Sequence, residues 1–191
     1  MTIILVGKGI TKGDFWFPDA PRHAMNGVYI HDVMRDLPLA NLWDYTIAYY
    51  ARYPALSILI DYPPFFPIVE SLFFSVFGIS RFTARLTVLF FAVLAAIVWY
   101  KLIKLIYDEK IAFYSTALFI TTPLIVLWSR EVMLEMPTLA LIILSVYFFY
   151  NYFELNKKKH IYYCALTTAF SILTKQTAVF ILPLFLSYVL V

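Results

Sequence analysis

The sequence predicts an all-α membrane protein: a multipass helical bundle whose non-cytoplasmic first loop carries amphipathic helices lying in the membrane interface. Two observations of composition and two of pattern predict this. Of 191 residues, 62% are apolar and only 14% charged, and the mean hydropathy is +0.79, which leaves too little polar surface to cover a soluble globule. The apolar residues fall in uncharged runs of about 15 to 20, long enough or nearly so to cross a hydrocarbon core roughly 30 Å thick. The junctions between runs alternate between lysine-rich and lysine-poor, as in a chain that crosses repeatedly. A soluble enzyme, a disordered tail and a secreted disulfide scaffold are excluded. The single cysteine, Cys164, lies in an apolar run and is assigned to packing. A net charge of +3 with one strong basic cluster, Lys157-Lys158-Lys159, suits a membrane loop and gives nucleic-acid binding no support.

Taken in order, the chain opens on an apolar stretch, 3–6, too short to span before Lys8, Lys12 and Asp14 arrive, and without the pattern of a signal peptide. It closes apolar through Val191. We read it as the N-terminal part of a longer protein with its first membrane helix missing. Residues 11–62 mix Asp14, Asp19, Asp32, Asp36, Asp44 and Asp61 with Trp16, Trp43 and many tyrosines, an aqueous segment with apolar anchoring. Within it Val28, Ile30, Val33, Met34 and Leu37 stand near helical spacing and predict a short amphipathic helix over 26–37, stopped by Pro38. Pro64 and Gly78 bracket a second apolar helix over 64–79, marginal in length for a span.

Spans are predicted at 86–106, about 21 residues or roughly 31 Å, at 111–128, at 136–153, and as a split pair at 161–173 and 178–191 around Thr174-Lys175-Gln176-Thr177. The chain therefore divides into an N-terminal segment and loop, 1–85, and a transmembrane region, 86–191, cut at its C-terminal end. Lys101, Lys104 and Lys110 mark one junction and 157–159 another, and both are assigned to the cytoplasm. Tracing back puts 80–85 outside. If 11–62 is also outside, 64–79 cannot cross and lies in the interface with Glu70 facing water. Asp19, the Tyr62-Pro63-Pro64 turn, Arg130, Glu135 and Lys175 then share one face of the membrane.

Each of these polar residues has an ordinary reading beside a functional one. Glu131 and Glu135, four apart beside Arg130, fit a helix N-terminus decorated with acids that suit its dipole. Glu135, set among Met133, Leu134, Met136 and Pro137, is costlier to leave idle, and an intramembrane acid points to a site. Lys175 interrupts an apolar stretch at a cost of about 2.5 to 3.5 kcal/mol if the stretch were one helix. It either snorkels from a broken helix or binds an anion, the lipid phosphate being the anion most accessible at that depth. Asp19 follows the aromatic run Phe15-Trp16-Phe17, but composition does not separate it from the other aspartates of its segment.

A resemblance does separate it. Asp14-Phe15-Trp16-Phe17-Pro18-Asp19, Arg22-His23-Ala24-Met25-Asn26-Gly27, Tyr53-Pro54-Ala55-Leu56, Tyr62-Pro63-Pro64-Phe65-Phe66, Phe77-Gly78-Ile79-Ser80 with Ala84-Arg85-Leu86, Ser129-Arg130-Glu131-Val132-Met133-Leu134-Glu135-Met136-Pro137 and Leu173-Thr174-Lys175-Gln176 occur in this order. Together they resemble the dolichyl-phosphate-mannose protein mannosyltransferase-like membrane glycosyltransferases of the GT-C fold, which include protein O-mannosyltransferases and lipid A aminoarabinose transferases. The resemblance implies a first outside loop with two helices along the membrane and a catalytic cavity opening to the non-cytoplasmic side. It implies inverting transfer of a hexosyl or pentosyl group from a polyprenyl-phosphate-linked sugar to a protein or lipid acceptor, in the plasma membrane if the cell is prokaryotic. Asp19 matches the catalytic base, Glu135 a further active-site acid, and Lys175, helped by Arg130, the site of the carrier phosphate. Ala20 stands where many relatives have a second acid, and Tyr62 where many have histidine. The first leaves a divalent cation as an open cofactor, and the second argues against proton handling at that turn. The alternative class is a multipass transporter or lipid flippase with Glu135 and Lys175 along its path, although spans 86–106 and 111–128 carry almost no charge until their ends.

Overall fold

A computed structural model describes residues 13–57 and 62–190. The stretch 3–6, Lys8, Lys12, Asp61 and the closing Val191 lie outside the described residues. Among the described residues the chain is helical, without a strand.

Helix α1, Ala20–Asp36, starts ahead of the expected position 26. Pro21 explains the early start, because proline in a first turn gives up an N–H that has no partner there. The helix ends where Leu37 turns left-handed, with φ 45°, ahead of Pro38. Helix α2, Leu42–Arg52, was not read from apolar spacing. Its attachment to α1 is polar and aromatic: Tyr45 and Tyr49 hydroxyls donate to Asp36 and Asp32, each at 2.9 Å, and Tyr29 and Thr46 hydroxyls meet at 2.7 Å. Helix α3, Phe65–Phe77, packs across α1. Among the described residues three helices, α1 to α3, thus precede α4.

Glu70 on α3 corrects the sequence reading. Instead of facing water it is 0% exposed, and its carboxyl lies against the backbone of Gly27 on α1. Both of its oxygens are buried without a hydrogen-bond partner, and burial pushes its pKa well above the ordinary carboxylate range, so it packs as a neutral acid. The notch at Gly27 is what admits it, since a Cβ there would come within 2.2 Å of Glu70 Oε2. Gly27→Ala is expected to destabilise the protein by about 1–3 kcal/mol through overpacking, read as a lower midpoint of thermal unfolding in detergent. Adding Glu70→Ala should recover most of the loss, and a Gly27→Ala protein as stable as wild type would mean the notch is not needed.

Helix α4, Arg81–Ile106, begins before residue 86 because Ser80 caps it, its hydroxyl accepting from the Thr83 N–H at 3.1 Å. The single span expected over 111–128 is two helices, α5, Glu109–Thr121, and α6, Pro123–Trp128. Pro123 forces Thr122 out of helical geometry, to φ −57° and ψ 124°, and the run breaks there. Helix α7, Glu135–Phe153, matches the third expected span. Helix α8, His160–Ile172, a 3₁₀ turn, Gln176–Phe180, and α9, Ile181–Leu190, reproduce the expected break around Lys175. Among the described residues two helices, α4 and α7, are long and apolar enough to cross a membrane.

The core lies where α4 meets α7 and α3. Ala84, Val88, Ala92 and Ala95 recur along one side of α4, and with Ala140 of α7 they form one buried cluster capped by Phe66, Phe74 and Phe91. Small side chains let the two long helices approach closely. Helix α8 joins α7 through the buried Ser145–Thr167 hydroxyl contact at 2.9 Å.

Candidate functional site

The segment that delivers Asp19 is fastened before α1 begins. Arg85 on α4 is buried, and its Nη2 donates to the Asp14 carbonyl at 2.9 Å. The guanidinium lies over the Phe15 ring at 5.5 Å, and Nη2 stands 3.7 Å from Glu131 Oε1. Glu131 Oε2 in turn accepts from the Trp16 N–H at 3.3 Å, and Phe17 packs on Trp128 with ring centroids 4.9 Å apart. Arg81 reaches the Asp14 carboxylate as well. A buried ion pair and two rings thus clamp 14–17 between the start of α4 and the turn after α6.

This corrects the reading of Glu131. It does not share a helix face with Glu135, because residues between α6 and α7 leave helical geometry and α7 begins only at Glu135. Glu131 faces Arg85, whereas Glu135 faces Lys175. Glu135, in the first turn of α7, keeps the favourable place for a carboxylate at a helix N-terminus.

Asp19 occupies the position preceding α1 and is half-exposed, with Arg22 Nη1 3.9 Å from Oδ1. One turn further, His23 donates its backbone N–H to the Asp19 carbonyl at 3.0 Å. The His23 ring is 2% exposed and meets the Tyr62 ring edge-on at 4.6 Å, and its Nδ1 is buried without a hydrogen-bond partner. The imidazole is pushed down to about 4, chiefly by burial. Lys175 and Arg22 act in the same sense, while Asp19 and Glu135 oppose them. His23 is therefore neutral at pH 7, and Asp19, Glu135 and Lys175 all stand near enough to act on its charge.

The 62–65 turn is tied to the far end of the chain. The Phe65 N–H donates to the Leu173 carbonyl at 3.0 Å, and Phe65 stacks on Phe170 with centroids 4.4 Å apart. That contact sets Tyr62 beside the break between α8 and the 3₁₀ turn. Lys175 sits at this break in extended geometry, φ −148° and ψ 124°, and its Nζ donates to Glu135 Oε1 at 2.8 Å. The ammonium is thus engaged by a carboxylate from another helix.

Of the residues singled out from sequence, the structure pairs Glu135 with Lys175 and sets Asp19 one helical turn ahead of buried His23. Arg130 is half-buried in the turn after α6, with its backbone N–H on the Leu127 carbonyl at 3.1 Å. Sequence reasoning quoted His23 within a motif but assigned it no role, and it left Arg85 without one too. The spacing of Asp19 and His23, one helical turn apart, was the available signal. Among the described residues no three His, Cys, Asp or Glu side chains group into a metal site, and Ala20 beside Asp19 supplies no second ligand.

The sequence model described as dolichyl-phosphate-mannose-protein mannosyltransferase matches residues 61–191 of this chain. No curated protein and no solved structure matches it.

Proposed function

This chain belongs to the dolichyl-phosphate-mannose-protein mannosyltransferase family, a family of membrane glycosyltransferases, and from that premise we propose that it contributes the catalytic face of an enzyme that moves a sugar from a polyprenyl-phosphate carrier to a protein or lipid acceptor. The observation that carries the reading is the Lys175–Glu135 pair at the helix break, with Asp19 one turn ahead of buried His23, whose imidazole feels the charges of all three. The match to this family favours transfer over transport as the activity.

In the proposed reaction the oxygen of an acceptor hydroxyl attacks the anomeric carbon from the side opposite the carrier phosphate. The carbon–oxygen bond to phosphate breaks, the configuration inverts, and the phosphate leaves with the electron pair. A hydroxyl is a poor nucleophile at neutral pH, so a carboxylate must take its proton as the bond forms. Asp19, half-exposed and held by Arg22 only at 3.9 Å, suits that role. The departing phosphate gains negative charge, and Lys175, with Arg130, would stabilise it more in the transition state than before.

The two ends of α7 bear on the proposed sidedness. Glu135 opens the helix and the lysines 157–159 follow its end, about 28 Å away for 19 residues. That separation supports a multipass arrangement with the site on the non-cytoplasmic face and the lysine clusters on the other.

Lys175→Ala in the full-length protein is expected to raise the donor concentration needed for half-maximal rate by about ten- to a hundredfold, the worth of a charge-assisted hydrogen bond. Lys175→Arg should keep part of the activity, and both variants should insert in membranes as wild type does. Unchanged donor dependence of Lys175→Ala would remove the phosphate role.

A further inference from the structure

Glu135 and Lys175 come from different segments, the first residue of α7 and the residue ahead of the 3₁₀ turn, yet they meet at 2.8 Å. Their side chains are 29% and 31% exposed, so the pair is reachable from outside. It is also unevenly satisfied. Glu135 Oε1 holds the ammonium, while Oε2 is buried without a hydrogen-bond partner, and a buried polar atom left unpaired carries a free-energy cost. An anion approaching Lys175 therefore meets an acid already in place, and two like charges on one ammonium repel.

We propose that Glu135 is a placeholder counter-ion, occupying on Lys175 in the ligand-free protein the place that the phosphodiester of the sugar carrier takes, so that donor binding breaks the Lys175–Glu135 contact. The inference rests on the phosphate role of Lys175 proposed above. It gives Glu135 a positioning duty. The carboxylate holds the lysine side chain in place, it excludes weakly held anions, and it yields only to a ligand that makes further contacts with the protein.

Equilibrium binding to the full-length protein in lipid nanodiscs tests the sign of this effect, with polyprenyl-phosphate-linked mannose as one probe and the sugar-free polyprenyl phosphate as the other. Glu135→Gln preserves shape and removes the competing charge, and both probes are expected to bind about three- to tenfold more tightly than to wild type. Glu135→Asp, whose shorter side chain loosens the pair while keeping its charge, should lie between. Lys175→Ala should bind weakly, and adding Glu135→Gln to it should change nothing more. If Lys175→Ala weakens binding while Glu135→Gln and Glu135→Asp leave it unchanged or weaker, the placeholder role is overturned and the phosphate role of Lys175 stands. If Lys175→Ala binds both probes like wild type, the phosphate role fails, and the placeholder with it.

Discussion

Asp19→Asn is expected to lower turnover by about 10² to 10⁴, the range spanned by loss of a positioned general base, while donor binding should stay near wild type. The amide keeps the size of the side chain and cannot accept the hydroxyl proton. Donor binding is spared because the carrier phosphate is assigned to Lys175, on a different segment. Asp14→Asn is the control. Asp14 lies in the same aromatic segment, but its carboxylate is exposed and paired with Arg81 at the surface, an interaction worth no more than about 1 kcal/mol. Its contact with Arg85 runs through the main-chain carbonyl and survives the substitution. Asp14→Asn should therefore turn over like wild type in a single-turnover transfer assay. Equal losses at both positions would point to a general effect of the loop, and near-normal turnover of Asp19→Asn would end the proposed mechanism.

Arg85→Met has the largest effect expected on stability, a loss of about 3–5 kcal/mol. Both members of the Arg85–Glu131 pair have side chains only 4% exposed, so removing the cation leaves a carboxylate buried without its countercharge. The same substitution takes the donor from the Asp14 carbonyl and the cation from above Phe15, so the segment leading into Asp19 loosens and turnover falls with stability. Combining Arg85→Met with Glu131→Gln removes the stranded charge, and the double variant should regain most of the unfolding midpoint because neighbouring partners are not additive. The midpoint is read from thermal unfolding in detergent. A double variant no more stable than Arg85→Met would show that the ion pair is not what the site depends on.

The helical class and most element positions were legible because they are one-dimensional properties. Apolar run length located α4 and α7, and the polar interruption at Thr174-Lys175 located the break between α8 and the 3₁₀ turn. Errors fell where a local signal met a tertiary one. Glu70 looked like the wet side of an interfacial helix, since nothing in its own segment announces the notch that Gly27 opens on another helix. Glu131 and Glu135 looked like one helix face because their spacing is right, but the turn between α6 and α7 sends them to different partners. Pro123 was present in the sequence, and the run around it was apolar enough to mask the break.

By itself, the sequence determined that this protein is an α-helical chain built for a membrane, and it singled out Lys175 as a charge that needs a partner, because composition, run length and insertion cost are set by residue type. Only the tertiary structure decided that this partner is Glu135, from a helix far away in the chain. Pairing across helices depends on how side chains fill the space between them: the small residues that let α4 reach α7, the Phe65–Leu173 hydrogen bond that draws Tyr62 to the break, and the Arg85–Glu131 clamp that sets Asp19 in place. These contacts join residues far apart in the chain, so no local pattern of residue types encodes them.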